Sequence, residues 1–197
     1  MNGVLISTIY EKSDSTKFSI RDFNVKKIFL LVDKEPNKTQ IQSINLIKKA
    51  FNNAIEIVEK KIDIYDISSV SKDVIKIIDS VPHGNEIYID ISQGRKPQAL
   101  GVLLACYARP ERIKKIVYWG GNGEAIVLPK LAFNVNGHSK TILKEIENTK
   151  SIMNLAKKLK LSRAQTYRNI KNLENSGLLT KENNKFVLTE AGKIARI

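Results

Sequence analysis

The sequence has few of the residues that build disulfide-bonded or zinc-stabilised folds. It contains one cysteine and two histidines in 197 residues, which excludes a disulfide framework and a Cys/His zinc cluster. The cysteine, Cys106, lies within the apolar stretch GVLLACYA, where a free thiol behaves as a small buried hydrophobe. We therefore expect no metal site and no cofactor.

Long hydrophobic runs are also missing. No apolar stretch approaches the roughly 20 residues that a membrane-spanning helix needs. The first residues, MNGVLISTIYEKSD, lack the basic lead and the cleavage site of a secretory signal. Hydrophobic residues still make up 42% of the chain, enough for a sizeable core. We expect a cytoplasmic protein without a membrane partner, built as one large domain or as a medium and a small one.

Acidic residues are scarce relative to basic ones, and the net charge is +13. Residues 138–197 carry +8, whereas the 137 residues before them carry only +5. A concentrated positive charge indicates a polyanionic partner, and nucleic acid is the first candidate. A generally lysine-rich surface is the alternative that charge alone leaves open.

The first two-thirds of the sequence alternates short β-rich runs with helical stretches. The predicted strands are 3–8, 27–33, 54–64, 86–92, 115–119 and 124–129, and the predicted helices are 39–51, 71–81 and 97–108. Ser71 is the expected N-cap of the second helix. This alternation predicts an α/β fold with a doubly wound, mostly parallel sheet of the Rossmann type.

The pattern changes around residues 129–138, where proline, glycine and two asparagines indicate a linker. Helical segments follow at 139–149, 151–159 and 162–177, and then two short strands flank residues 182–185 before a final helical turn. Three short helices and a β-hairpin predict a small winged helix-turn-helix domain. We place the two domains at 1–132 and 133–197.

The third helix of this predicted domain has the composition of a DNA-recognition helix. Ser162 and Gln165 fit a capping box, so the helix should begin sharply at Arg163. Arginine and glutamine can reach base edges in the major groove, and lysine and tyrosine suit phosphates. The predicted contacts to double-stranded DNA are Ser162, Arg163, Gln165, Tyr167, Arg168 and Lys171 on the helix, with Lys181 and Lys185 on the wing.

The segment LAKKLKLSRAQTYRNIKNLENSGLLTKENNKFVLTEAG resembles winged helix-turn-helix regulators of the MarR and ArsR kind. The resemblance includes the NLENSGLL exit of the third helix and the LTEAG that closes the wing. It implies DNA binding and transcription regulation. Winged helices that make only protein contacts are the alternative.

The stretch DISQGRKP, residues 90–97, leaves the fourth predicted strand and enters a helix. Gly94 permits a tight turn, the helix start offers free N–H groups, and Arg95 and Lys96 add charge. In a doubly wound sheet, ligands bind beyond the carboxyl ends of the strands. The stretch thus favours an anion site, although it is neither a P-loop nor a G-x-G-x-x-G motif, and an ordinary helix start is the alternative.

Together, the first strand GVLISTIY, the turn DISQGRKP and the C-terminal winged helix resemble the CRISPR-associated Rossmann-fold (CARF) transcription regulators. That family carries a pattern close to Asp-x-Ser/Thr-Gly-Gly-Thr/Arg-Lys/Arg after strand four. Asp90, Ser92, Gly94, Arg95 and Lys96 match it, whereas glutamine replaces the usual first glycine at position 93.

The resemblance implies a homodimer that binds a cyclic oligoadenylate, most often cyclic tetra-adenylate, across its two-fold axis. The implied ligand-binding residues are Ser7, Thr8, Ile9 and Tyr10 after strand one, and Ser92, Gln93, Gly94, Arg95 and Lys96 after strand four. The expected function is therefore a ligand-responsive transcription regulator of a CRISPR antiviral defence system.

The alternative is a metal-independent ring nuclease that cleaves cyclic tetra-adenylate in the same pocket. Such cleavage needs orientation and charge stabilisation more than a dedicated base, so no catalytic residue is assigned. A regulator that senses another small anion also remains open.

Overall fold

The computed structural model describes residues 2–121, 123–129, 137–149, 151–182 and 185–196. The chain divides into two compact units, Met1–Leu128 and Pro129–Ile197. The boundary predicted between residues 132 and 133 lies outside the described residues, as does most of the predicted linker.

The first unit alternates strands and helices along the chain. Its elements are β1 (Gly3–Thr8), α1 (Asp14–Asp22), β2 (Val25–Asp33), α2 (Lys38–Phe51), β3 (Glu56–Ile62), α3 (Ile67–Ser80), β4 (Glu86–Asp90), α4 (Lys96–Ala108), β5 (Ile113–Trp119) and β6 (Ala125–Leu128). The strands form one mostly parallel sheet in the order β3-β2-β1-β4-β5-β6, in which only β6 is antiparallel to its neighbour. The predicted doubly wound, Rossmann-like α/β fold is confirmed.

Each face of this sheet is covered by two helices. On one face α1 and α2 contribute Ile20, Ile44 and Ile47 to a core around β1 and β2. On the other face α3 and α4 bury apolar residues such as Val74 and Val102 against the same strands. The strand β1 is buried at every position. Strands that are covered on both faces have mostly apolar sequences, which explains the run GVLI at its start.

This winding fixes where a ligand can bind. The neighbours β1 and β4 are parallel, and the chain leaves β1 toward α1 on one face and β4 toward α4 on the other. The loops after the two strands therefore diverge and leave a crevice at the carboxyl edge of the sheet.

Two local predictions differ from the structure. Helix α1 was not predicted, because its buried positions include Ser15, Thr16 and Ser19 and give no apolar stripe. Ser71 is not an N-cap: α3 begins four residues earlier, with Asp66 accepting from the Ser69 N–H at 3.0 Å. Ser71 lies inside the helix and donates to the carbonyl of Gly101 at 2.8 Å.

The second unit contains four helices and a hairpin in its described part. They are α5 (Gly137–Glu145), α6 (Ile152–Leu159), α7 (Arg163–Asn175), β7 (Leu179–Glu182), β8 (Lys185–Leu188) and α8 (Glu190–Ala195). Leu155 and Leu159 of α6 share an apolar core with Ile170 and Leu173 of α7. The hairpin pairs Leu179 with Leu188 and closes the same core.

Candidate functional site

The candidate site lies in the crevice between β1 and β4, and two hydroxyl groups at the end of β1 build its floor. Ser7 Oγ lies 3.0 Å from Thr16 Oγ1 on α1. Thr8 Oγ1 donates to the carbonyls of Asp90, at 3.4 Å, and of Gln93. Both residues are fully buried. The Ser7 hydroxyl connects β1 to α1, and the Thr8 hydroxyl connects the end of β1 to the loop after β4.

Asp90 organises the turn that leaves β4. Its Oδ1 accepts from the N–H of Ser92 at 2.9 Å and from the Ser92 hydroxyl, and its Oδ2 accepts from Ser19 Oγ at 2.9 Å. The Trp119 indole donates to Ser19 Oγ at 2.7 Å. Burial raises the pKa of Asp90. A carboxyl group engaged in this way positions the turn and is not free to act on a substrate.

Gly94 has two structural reasons to be glycine. Its φ of +93° lies in the left-handed region, which L side chains rarely occupy. In addition, a Cβ atom at this position would come within 2.2 Å of Gln98 Oε1 and 3.1 Å of Thr8 Cβ. The turn therefore lies directly on Thr8 and on the buried amide of Gln98.

Three side chains form the accessible part of the site. The Arg95 guanidinium lies over the Tyr10 ring, with 4.3 Å from Cζ to the ring centroid, and donates to the Tyr10 hydroxyl. Asn37 Nδ2 also donates to that hydroxyl, at 2.9 Å. Lys96 is exposed at the first position of α4. Two cations at a helix start, where the helix dipole favours negative charge, suit an anionic ligand.

The structure thus brings together the two segments that were predicted to form one site. The residues of these segments differ, however, in how exposed they are. Arg95 and Lys96 are exposed, and Tyr10, Ser92, Gln93 and Gly94 are half-buried. Ser7 and Thr8 are buried, and the Ile9 side chain belongs to the core. Sequence reasoning missed five polar residues that support the site: Thr16, Ser19, Asn37, Gln40 and Gln98.

Helix α7 of the second unit presents the other predicted set of functional residues. The capping box is confirmed: Ser162 Oγ accepts from the Gln165 N–H at 3.1 Å, and Gln165 Oε1 accepts from the Ser162 N–H at 3.2 Å. Thr166 and Ile170 face the core, and the predicted DNA-contacting residues lie on the other sides of the helix. The exposed ones on or before α7 are Ser162, Arg163, Gln165, Tyr167 and Arg168.

Lys171 differs from these residues. Its Nζ lies 2.6 Å from Glu174 Oε2, and this hydrogen bond raises the pKa of the lysine. Lys181 and Lys185 are exposed on the hairpin, and residues 183 and 184 lie outside the described residues. Among the predicted DNA contacts, the exposed cations are therefore Arg163, Arg168, Lys181 and Lys185.

Two features are absent from the residues that the structure describes. No helix among them is long and apolar enough to cross a membrane. No group of three or more histidine, cysteine, aspartate or glutamate side chains among them is arranged to hold a metal ion.

Solved structures share this fold at low sequence identity. Can2 from Sulfobacillus thermosulfidooxidans, solved in complex with cyclic tetra-adenylate, matches 99% of this chain with a TM-score of 0.50 and 14% identity. Protein VC1899 from Vibrio cholerae matches 98% with a TM-score of 0.50 and 12% identity. The chain spans only 64% of the length of each of these two proteins.

A type III CRISPR defence DNA nuclease activated by cyclic oligoadenylate also matches, with a TM-score of 0.48, 11% identity and coverage of 98% of this chain and 39% of the nuclease. No curated protein sequence matches the chain. Residues 5–119 match the protein family described as "HFX_2341_N:-like, N-terminal". Since this match covers more than half of the sequence, the chain belongs to that family.

Proposed function

We propose that this protein is a ligand-responsive DNA-binding regulator of a CRISPR system, in which the first unit senses a cyclic oligoadenylate. The observation that carries the proposal is the convergence of Tyr10, Arg95 and Lys96 at the carboxyl edge of the sheet. The two cations suit phosphates, and the Tyr10 ring and the half-buried turn beside them suit a nucleoside. Can2, which shares the fold, was solved with cyclic tetra-adenylate, and we favour that ring as the ligand here.

We propose a homodimer as the binding form. Leu100 and Leu104 of α4 lie one turn apart and are 52% and 53% exposed. They follow Lys96 by one and two turns, and an apolar strip of this kind is typical of a protein contact. A two-fold contact along α4 would bring two copies of the 92–96 turn close together. A ring with repeated phosphates could then meet the same cations from both subunits.

The second unit is proposed to be a winged helix-turn-helix domain, with α7 as its recognition helix and β7–β8 as its wing. Support comes from the exposed Arg163 and Arg168, the sharp start of α7 at the capping box, and the basic hairpin. The excess charge of +8 in residues 138–197 fits a phosphate backbone. Ligand in the first unit would change the DNA affinity of the second.

Calorimetry of the full chain with cyclic tetra-adenylate tests the sensing role. We expect one ring per dimer, and a stoichiometry of one ring per monomer would contradict the two-fold site. No detectable binding would refute the proposed ligand.

Analysis of the nucleotide after incubation separates a sensor from a nuclease, because slow appearance of linear di-adenylate would favour ring cleavage. Binding to a pool of random duplexes, with and without the ring, tests the DNA-binding half.

A further inference from the structure

Two buried glutamine side chains near the candidate site each have an amide nitrogen with a hydrogen-bond partner and an amide oxygen without one. Gln98 and Gln40 are both 1% exposed. Gln98 Nε2 donates to the carbonyl of Leu31 at 3.0 Å, and Gln40 Nε2 donates to the carbonyl of Ile9 at 2.8 Å. The Oε1 atom of each glutamine is buried and receives no hydrogen bond from the described residues.

The backbone contact fixes which way the Gln98 amide points. The carbonyl of Leu31 can only accept, so the –NH₂ group must face it, and a flipped amide would oppose two acceptors. Oε1 therefore points away from Leu31 and toward the turn at Gly94, where a Cβ atom would lie only 2.2 Å from it. The unsatisfied oxygen of Gln98 lies directly beneath the 92–96 turn of the candidate site.

A buried acceptor without a donor is unfavourable, and it is uncommon in folded proteins. A donor that reaches this oxygen has to approach it from the side of the turn, because the amide nitrogen faces Leu31 on the other side. Gly94 leaves that side free of a side chain. Since the oxygen is covered in the present structure, the turn has to lift before a ligand can reach it.

We infer that Gln98 Oε1 accepts a hydrogen bond from a donor group on the nucleoside part of the bound ligand. This inference rests on the proposed function, since it concerns the same site and the same ring. The phosphates of a cyclic oligoadenylate carry no donor at neutral pH, so the contact must go to the exocyclic amino group of adenine or to a ribose 2′-hydroxyl. Arg95 and Lys96 contact the phosphates and provide affinity, whereas Gln98 provides selectivity for the nucleoside.

The test compares three rings on the wild-type dimer by calorimetry. Cyclic tetra-inosinate replaces each amino group by a carbonyl, and 2′-deoxy cyclic tetra-adenylate lacks the hydroxyls. We expect one of the two analogues to bind at least about tenfold more weakly than cyclic tetra-adenylate, as the loss of one hydrogen bond predicts. The analogue that is rejected identifies the donor.

The variant Gln98→Leu should lose this preference, so that the ratio of the two affinities falls to nearly one. Gln98→Met keeps the length of the side chain and replaces Gln98→Leu in this measurement if the leucine variant does not fold. Gln42→Leu, on the exposed side of α2, is the surface control and should keep the wild-type ratio. The ratio is the decisive readout, because a purely structural role of Gln98 would weaken all three rings equally.

Two outcomes would overturn the role of Gln98. The first is equal binding of all three rings by the wild type, and the second is an unchanged preference in the Gln98 variants. Failure of wild type to bind any ring contradicts the proposed function itself, and with it the role of Gln98. Binding without selectivity contradicts only the role of Gln98.

Discussion

The guanidinium of Arg95 lies 4.3 Å from the centre of the Tyr10 ring, and the two residues are 85 positions apart in the sequence. Their contact joins the loop after β1 to the turn after β4. A second hydrogen bond, from Asn37, fixes the Tyr10 hydroxyl. These contacts hold Arg95 at the crevice in the free protein.

The first prediction concerns the two cations of this site. The double variant Arg95→Ala/Lys96→Ala should weaken the binding of cyclic tetra-adenylate by several orders of magnitude. Each charge-assisted contact contributes about 1.5–3 kcal/mol, and a two-fold site would contain each contact twice. Calorimetry with the wild type and the double variant measures the difference, and circular dichroism checks that the fold is unchanged.

The matched control removes the same charge from the opposite edge of the sheet. Lys26 and Lys114 are exposed near the amino ends of β2 and β5, so Lys26→Ala/Lys114→Ala should leave ring affinity nearly unchanged. Equal affinities for the wild type and the Arg95/Lys96 variant would show that these two residues only begin a helix.

The second prediction separates two reasons for glycine at position 94. Gly84 and Gly94 have nearly the same φ, +94° and +93°, but only Gly94 has atoms close to the position of a Cβ. Gly84→Ala should cost about 1–2 kcal/mol of unfolding free energy for the left-handed backbone alone. Gly94→Ala should cost clearly more, because its methyl group would collide with Gln98 Oε1. Chemical denaturation of both variants measures the two costs.

A third variant identifies the colliding group. In Gly94→Ala/Gln98→Ala the amide is gone, so the double variant should be less destabilised than the sum of the two single variants. Additive losses would show that Gln98 is not the obstacle at position 94.

Sequence patterns predicted most of the first unit because its central strands β1, β2 and β4 are mostly buried and therefore form apolar runs in the sequence. Helix α1 escaped prediction since small hydroxyl side chains, among them Thr16 and Ser19, face the sheet. Those hydroxyls are the partners of Ser7 and Asp90. The hydroxyl side chains that leave α1 without an apolar stripe are therefore the ones that connect it to the candidate site.

The candidate site was only partly predictable for a related reason. A motif is local, so DISQGRKP indicates a turn with two cations, but it does not indicate what lies beneath that turn. Gln98 lies on α4, the helix that follows this motif, but it belongs to no motif or periodic pattern. Asn37 is the N-cap of α2, a helix far from the motif in the sequence. Their roles depend on how the sheet brings distant strand ends together, which the sequence specifies only through the whole fold.

The third prediction concerns the pH dependence of stability at Asp90. Burial raises the pKa of this carboxyl above its ordinary value of 3.8, so the folded state binds the proton more tightly than the unfolded state does. Its contribution to stability is then present below pH 3.8 and is lost as the pH rises through the raised pKa. The wild type should therefore lose unfolding free energy relative to Asp90→Asn as the pH increases through this range.

Asp63 provides a control of opposite sign. The hydrogen bond from Lys34 lowers the pKa of Asp63, so its contribution is present above pH 3.8 and is lost as the pH falls through the lowered pKa. Denaturation curves at several pH values should show the wild type gaining stability relative to Asp63→Asn as the pH rises. The same slope for both variants would contradict the assignment for Asp90.

The fourth prediction concerns the division of the chain. The two apolar clusters of the first unit lie within residues 4–128, and the cluster of the second unit lies within residues 142–195. A fragment of residues 1–132 should therefore fold, dimerise and bind cyclic tetra-adenylate with nearly the affinity of the full chain. Sedimentation and calorimetry decide this, and an unfolded or monomeric fragment would refute the proposed independence of the sensing domain.

The last prediction concerns the recognition helix, where Gln165 has two possible roles. Its Oε1 accepts from the Ser162 N–H, so Gln165→Ala would remove both a helix cap and a base contact. Gln165→Glu keeps the cap, because glutamate also fits this position of a capping box, but it places a negative charge near DNA.

We expect Arg163→Ala to reduce the preference for the selected site over random duplex by about 1–3 kcal/mol, the value of one bidentate base contact.

Lys185→Ala should instead weaken all duplexes alike and lower the slope of log K against log salt by about one. Lys171→Ala should have a smaller effect than Lys185→Ala, because Lys171 already pairs with Glu174 at 2.6 Å. Fluorescence anisotropy at several salt concentrations, on a duplex chosen by selection and on a scrambled one, measures all three. If Arg163→Ala weakens both duplexes equally, α7 does not read bases through this residue, and the recognition face lies elsewhere on the domain.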